Sequence, residues 1–317
     1  MFSLDDLEAS AALVHQYFPA TPAFAWPLLA QRVGCEVWVK HENHTPVGAF
    51  KVRGGLVFMD RLKRRQPDCP GVISATRGNH GQSLAYAGGK LGIKVTIVVP
   101  VGNSAEKNDA MRALGAELIE YGADFDEARG HAEALAAERG LLFAPSYHPD
   151  LVEGVATWAL ELFRAAPKLD VLYAPIGLGS GIAGAIRARD LLGLDTEIIG
   201  VQSTEAPSYA LSYAAGHVVQ TNSANTNADG LATRQPSAAA LDVIRAGASG
   251  IVTVNDTEIA ETVRAYWTDT HNLAEGAGAA PLAALLQQRD RWAGKRAGVV
   301  LSGGNIDLAL FRDWILA

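Results

Sequence analysis

Residues 171–192 read VLYAPIGLGSGIAGAIRARDLL, and the parsing of this stretch decides the fold. Its β-branched, apolar start has the composition of a buried strand, its end has helical period, and a run of glycines lies between them. Strand, glycine loop and helix in that order form the unit of an α/β sheet, and the N–H groups of the helix's first turn then point at whatever occupies the loop. That is an anion site, most simply for a phosphate. From Gly179 the residues GSGIAG also satisfy the dinucleotide fingerprint GxGxxG. The next strand, EIIGVQ from 197, ends in Gln202, where a dinucleotide site wants an acid for the ribose hydroxyl. A tight strand-to-helix turn with no ligand is the third reading of so short a motif.

Outward from this unit, short β-branched runs recur: VWVKHE at 37, GVISA at 71, KVTIVVP at 94, LLFAPS at 141, GIVTVN at 250 and GVVLSGG at 298. Ala- and Leu-rich stretches of helical period lie between most of them, such as SAEKNDAMRALG from 104 and FDEARGHAEALAAERG from 125. The alternation predicts an α/β protein with open, mostly parallel twisted sheets and helices on both faces. Residues 206–236 have weak periodicity and many turn formers, so an irregular connection with at most one helix is expected. Three glycine clusters follow strands: TRGNHGQS at 76, GLGSGIAG at 177 and SGGNID at 302. Ligands of open α/β sheets bind beyond the carboxyl ends of the strands, so all three should line one crevice.

Bulk properties narrow the function. A chain of 317 residues, 49% apolar, is long enough for two domains with sizeable cores. The net charge is −7 and the 27 basic residues are scattered, so there is no footprint for nucleic acid and a small molecule is the expected partner. Two cysteines, Cys35 and Cys69, have no metal spacing and make no disulfide scaffold. They point to a reducing compartment, and a cytoplasmic setting is expected. The start, MFSLDDLEASAALVHQYF, carries acids where a signal peptide needs basic residues and reads as an amphipathic helix. No run is apolar and long enough to span a membrane.

The stretch TPVGAFKVRGG, 45–55, sets Lys51 between Phe50 and Val52. A lysine in the first turn of a helix is commonly just a solvated side chain. Beside a separate phosphate cradle it gains a second reading, since an amine that must form a Schiff base is activated by burial. Pyridoxal phosphate needs both features.

HENHTPVGAFKVRGG, TRGNHGQS, PIGLGSGIAG, ADGLA, AEGAGAA and LSGGNID occur here in that order between about residues 20 and 310. In order and spacing they resemble the serine/threonine dehydratase family, pyridoxal-phosphate enzymes of fold type II with the tryptophan synthase β-subunit fold. The resemblance implies a larger cofactor-binding domain from 1–50 and 148–317, a small mobile domain from 51–147, and a homodimer. It implies that Lys51 binds the cofactor and moves the substrate's α-proton, that Phe50 packs beside the cofactor, and that Asn79 bonds its phenolic oxygen. Gly177, Leu178, Gly179, Ser180 and Gly181 would cradle the phosphate, and Ser302 would face the pyridine nitrogen. Glu275 matches an acidic position near the ring; as an alternative it is an acid placed favourably at a helix start. Thr76, Arg77, Gly78, Asn79 and His80 would hold the substrate, with helix amides suited to its α-carboxylate. The implied reaction is β-elimination on a 3-hydroxy amino acid such as threonine or serine, giving a 2-oxo acid and ammonia. The alternatives are 3-hydroxyaspartate or 3-phenylserine as substrate, β-replacement of the cysteine synthase type, and a catalytically silent nucleotide-binding protein.

Departures from the family pattern matter. Members with a divalent cation site carry an acid, a carbonyl and an acid where this chain has Gln202, Ala206 and Ser208, so no metal is expected. Racemases of the family keep a serine at the position of Arg77. An arginine stays protonated and is a poor acid–base shuttle, so little racemisation is expected. Its planar fork suits a second substrate carboxylate; it could equally pair with an acid of the other domain or reinforce α-carboxylate binding. His41 and His44 lack the HExxH spacing of a zinc site and read as structural or surface residues. Cys35 reads as a small buried hydrophobe. Arg53 reads as a solvated helix residue or a support of the cofactor.

Overall fold

The computed structural model describes residues 2–317. Among them ten strands run in chain order: β1 (Ala23–Ala25), β2 (Glu36–His41), β3 (Val72–Ala75), β4 (Val95–Val99), β5 (Glu117–Glu120), β6 (Leu142–Phe143), β7 (Val171–Pro175), β8 (Glu197–Ser203), β9 (Gly250–Val254) and β10 (Arg296–Leu301). They form two sheets, one of six strands in the order β1-β2-β10-β7-β8-β9 and one of four in the order β5-β4-β3-β6. Every pairing is parallel except β1 with β2. The longer helices are α1 (Leu4–Val14), α2 (Pro27–Val33), α3 (Lys51–Arg65), α4 (Asn79–Leu91), α5 (Ala105–Ala113), α6 (Phe125–Arg139), α7 (Pro149–Ala165), α8 (Ser180–Leu191), α9 (Ser208–Ala215), α10 (Ala238–Gly247), α11 (Asp256–Thr270) and α12 (Gly276–Gln287), and a short one, α13 (Leu308–Leu310), follows β10.

Both sheets carry helices on both faces because their strands alternate between two apolar layers. In β7, Val171 and Tyr173 pack with α11 and α12, while Leu172 and Ala174 pack with α7 and α8. In β3, Val72 packs with α3 and α4, while Ile73 and Ala75 pack on α6. Strands buried on both sides read as continuous apolar runs, which is why β3, β4 and β7 were visible in the sequence. β5 and β1 were not expected. β5 is an edge strand with exposed Glu117 and Glu120, and an edge needs neither a second apolar face nor length. The run at 141 shortens to the two residues of β6. Residues 206–236 hold α9 and a single 3-10 turn, Asp229–Leu231, in an otherwise irregular course.

Local signals explain the boundaries. Ser3 with Asp6, and Asn255 with Glu258, form capping boxes at the starts of α1 and α11. α7 lies between the two sheets against both α3 and α8, and small residues let the backbones meet. A Cβ on Gly154 would stand 2.5 Å from the Arg53 carbonyl oxygen, and one on Gly184 2.9 Å from Ala156 Cα. α3 is thereby held firmly, and α3 is the helix that Lys51 opens.

Candidate active site

A cleft of about 870 Å³ lies between the two sheets, and Lys51, Thr76, Arg77, Gly78, Asn79, His80, Gly177 and Leu178 all bound it. The glycine clusters at 76 and 177 thus meet as expected, but from different sheets, since β3 belongs to one and β7 to the other. The third cluster stands behind Lys51. Phe50 N–H donates to the Ser302 carbonyl at 3.0 Å, Gly304 N–H to the Gly48 carbonyl at 2.9 Å, and Ala49 bridges Gly303. This strand-like pairing with the end of β10 sets the direction in which residue 51 enters its helix. Gly48 makes it possible, with φ of +67° and with Asn305 Oδ1 only 2.5 Å from where a Cβ would be.

Lys51 Nζ lies 5.2 Å from the centroid of the Phe50 ring, and the Phe50 ring in turn stands 3.3 Å from a Cβ built on Gly181. Burial disfavours the ammonium and brings the Lys51 pKa down to about 8, against the opposing charge of Glu275. His80 is held neutral, its pKa pushed down to about 3 by burial and then by the Lys51 charge. Its Nε2 is buried with no hydrogen-bond partner.

Two helices aim unbonded amides into this region. The first backbone bond of α8 runs from Ala183 N–H to the Gly179 carbonyl at 3.0 Å, so the N–H groups of Ser180, Gly181 and Ile182 lie beyond the hydrogen-bonded ladder. Gly179 turns the loop with φ of +93°, and a Cβ on Gly177 would stand 2.4 Å from the Gly230 carbonyl oxygen. From behind, the Tyr209 hydroxyl donates to the Leu178 carbonyl at 2.9 Å and accepts from Ser237 N–H at 3.0 Å. At α4 the ladder starts with Gln82 N–H to the Gly78 carbonyl, leaving the amides of Asn79, His80 and Gly81. Thr76 Oγ1 accepts from Gly78 N–H at 3.1 Å and shapes that turn.

Asn79 is fixed from both ends of its amide. Its Nδ2 donates to Glu275 Oε1 at 2.7 Å, and its Oδ1 accepts from Asn305 Nδ2 at 2.8 Å. Glu275 is the N-cap residue of α12, yet its side chain makes no cap bond; burial and Asn79 govern it instead. Burial raises its pKa to about 7, with Lys107 the largest opposing charge. Lys107 and Asp229, which pair with each other, also bound the cleft. Sequence reasoning named neither. ADGLA offered the only signal for Asp229, and Lys107 sits in a stretch that reads as an ordinary amphipathic helix.

Arg53 requires a correction. It is neither solvated nor in the cleft, because its fully buried guanidinium bonds Glu42, Glu161, Thr157 and Thr21. Arg77 is exposed and has no acid within 4.0 Å among the described residues, in contrast to Arg129 and Arg234 of the same cleft, which pair with Glu133 and Asp126. His41 is buried and accepts from Trp26 Nε1 at 2.9 Å, while His44 Nε2 meets Asn272 Oδ1 at 2.7 Å. Cys35 is a buried free thiol. At the family's cation position, Gln202 Oε1 accepts from Ala210 N–H and Ser208 Oγ donates to the Thr233 carbonyl. Among the described residues no cluster of three or more His, Cys, Asp or Glu side chains is placed to hold a metal, and no helix is long and apolar enough to cross a membrane.

Fold and site together define an α/β enzyme whose cleft sets a half-buried lysine against two helix N-termini. A match to the family described as "Pyridoxal-phosphate dependent enzyme" covers residues 14–303, and the chain belongs to that family. It is 38% identical over 280 residues to an L-threonine ammonia-lyase of Geobacter sulfurreducens, covering 88% of this chain and 69% of that one. It is 32% identical over 312 residues to an L-threo-3-hydroxyaspartate ammonia-lyase of Saccharomyces cerevisiae, covering 98% and 95%. The solved structure of maize serine racemase superposes with a TM-score of 0.92 at 27% identity, covering 98% of this chain and 96% of that one. The residues present fit the cofactor. Buried His80 Nε2 and Glu275 Oε2 lack partners among the described residues, and the Ser180, Gly181 and Ile182 amides stand outside the α8 ladder beside the 177–181 loop.

Proposed function

We propose that the chain is an ammonia-lyase that eliminates water from a 3-hydroxy amino acid, the resulting enamine hydrolysing to a 2-oxo acid and ammonia. The carrying observation is that Lys51 lines one cleft together with the unbonded N-terminal turn of α4 and the glycine loop that opens α8. Pyridoxal phosphate, when bound, supplies an electron sink for the electrons of the α-carbon. The α8 amides and residues 177–181 would hold its phosphate, Asn79 its phenolic oxygen, Phe50 its flank, and the Ser302 hydroxyl its ring nitrogen. Lys51 would anchor it, and its amine would take the α-proton, burial disfavouring the ammonium and so favouring the free-base form that this needs. The amides of Asn79, His80 and Gly81, with Thr76 and Gly78 shaping the turn, orient the substrate's α-carboxylate. Neutral His80 adds no competing charge beside Lys51.

Residues 51–147, the expected small domain, contain all of the four-stranded sheet and are inferred to move over 1–50 and 148–317 by bending after α3, which is itself held on α7. A homodimer in the cytoplasm completes the reading. Exposed Phe24, Leu28 and Trp267, near α2 and α11, which the Arg32–Asp269 pair joins at 2.7 Å, support a subunit interface there.

Arg77 favours a second reading of the substrate, 3-hydroxyaspartate, because it is a cleft arginine with no protein acid to pair with. The same residue argues against racemisation. The test is borohydride reduction of the coloured enzyme with peptide mapping, which should mark Lys51, combined with kcat/KM for threonine and 3-hydroxyaspartate. Lys51→Ala should abolish turnover, and near wild-type elimination in that variant would overturn the assignment. Arg77→Ala should lose more on 3-hydroxyaspartate than on threonine; equal losses would leave it only a general anchoring role.

A further inference from the structure

Lys107 lies in α5, on the four-stranded side of the cleft, yet its acid partners lie on the other side. Its ammonium pairs with Asp229 and stands 4.0 Å from Glu275 Oε2, with only 8% of the side chain exposed. Its stem packs on the loop that carries Asn79, since a Cβ on Gly78 would meet Lys107 Cδ at 2.6 Å. The residues just before it cross the cleft as well. Ser104 Oγ donates to Asp307 Oδ1 at 2.6 Å, and Leu308 N–H donates to Glu106 Oε1 at 2.9 Å. The start of α5 is therefore docked on the six-stranded side at three points, and one of them is a buried cation aimed at a carboxylate oxygen with no hydrogen-bond partner.

We propose that Lys107 is a positioning residue: by bridging Asp229 and Glu275 across the cleft, it fixes the Glu275 carboxylate, and through Glu275 the Asn79 amide, against the seat of the cofactor. The inference rests on the cofactor seat proposed above. A lysine that merely closed the two sides together would act through packing alone. A lysine that fixes Glu275 acts through its charge, and the two can be told apart.

Glu275 is faced by Lys107 from α5, Asp229 from the 3-10 turn, Asn79 from α4 and Lys51 from α3. Removing the cation leaves Glu275 beside Asp229 and must raise its affinity for a proton. Removing Asp229 must do the reverse. A nearby opposite charge shifts a carboxyl by ~1–3 pH units.

The experiment is a pH titration of the visible absorbance of the holoenzyme without substrate, with the Glu275 transition identified as the one that Glu275→Gln abolishes. In Lys107→Met, which keeps the stem, the midpoint should rise by about one pH unit, a tenfold gain in proton affinity. In Asp229→Asn it should fall. In the double variant it should return toward the wild type, and Lys107→Arg should stay close to it. A coloured, folded Lys107→Met enzyme with an unmoved midpoint overturns the proposal, as do Lys107→Met and Asp229→Asn moving in the same direction. A Glu275→Gln enzyme that keeps every transition overturns it too. If Lys107→Met does not fold, Asp229→Asn decides alone, because the Asp229 side chain is 35% exposed and tolerant of change: a midpoint unmoved or raised overturns the proposal. A protein that takes up no cofactor overturns the seat as well, whereas a coloured one that ignores Lys107 overturns only this inference.

Discussion

Arg53→Met is expected to cost about 3–5 kcal/mol of stability, the usual range for removing one partner of a buried ion pair. Arg53 and Lys40 stand with Glu42 and Glu161 in one enclosure, two cations against two anions. The guanidinium makes six hydrogen bonds there. Methionine keeps the apolar stem but leaves two carboxylates with one ammonium. The Glu161 carboxylate, which meets both cations, makes the deficit pH-dependent. Burial by itself would raise the Glu161 pKa, but the charges of Arg53 and Lys40 hold it down, from 4.5 to about 2. That shift, net of both cations and of burial, corresponds to about 3 kcal/mol for Glu161. Because the folded-state pKa is depressed, this contribution is present above pH 4.5 and is lost as the pH falls toward 2. The deficit of the variant should therefore be full at pH 7 and shrink below pH 4.5. Urea denaturation followed by circular dichroism reads it directly, and with an m-value of ~1–3 kcal/mol/M the midpoint should fall by ~1 M or more. Adding Glu42→Gln restores one cation to one anion and should recover a large part of the loss. A deficit below ~1 kcal/mol, or a double variant no better than the single, would refute the charge-balance argument. Since Arg53 and Lys51 share the first turn of α3, the single variant should also bind cofactor less tightly, as equilibrium dialysis would show.

Two further outcomes are expected. Gly154→Ala gains about 0.5–1 kcal/mol in helix propensity but sets a methyl 2.5 Å from the Arg53 carbonyl oxygen, an overpacking that costs ~1–3 kcal/mol; the clash should win, and a higher melting temperature in the variant would contradict it. His80→Gln should flatten the acid side of the stability curve. The His80 pKa drops from 6.5 to about 3 on folding, so its contribution is full above pH 6.5 and is lost toward pH 3 as the unfolded chain takes up a proton. An unchanged slope of unfolding free energy across that window would place the acid sensitivity elsewhere, with buried His41 the next candidate.

The α/β class, most strands, the glycine loops and the singular position of Lys51 could all be read from the sequence, because each depends on residues close together in the chain. Strand periodicity, a glycine run before a helix, and a lysine beside glycines are local patterns, and six of them in order carried the family resemblance. The division into two sheets entered only through the family resemblance, which implied a separate domain over 51–147, and not through the strands themselves. β3, β4 and β6 have the composition of the other strands, and which strand pairs with which depends on long-range closure rather than on any run of residues. Exposed β5 and three-residue β1 gave no apolar signal.

The site divides along the same line. Lys51, Asn79, Ser302 and the 177–181 loop were named from motifs, but their chemical state was not, because a pKa depends on burial and on charges that only folding brings near. Arg53 shows this most clearly. As a residue type in the first turn of a helix it reads as solvated, and only partners 11 and 108 residues away make it a buried ion-pair centre. Lys107 and Asp229 lie 122 residues apart and become neighbours across a cleft that exists only in the folded chain. The sequence alone determined which groups the protein carries for its chemistry, since those groups sit in local motifs. Only the tertiary structure decided which of them are desolvated, paired and aimed at one another, since those are properties of the space between distant segments.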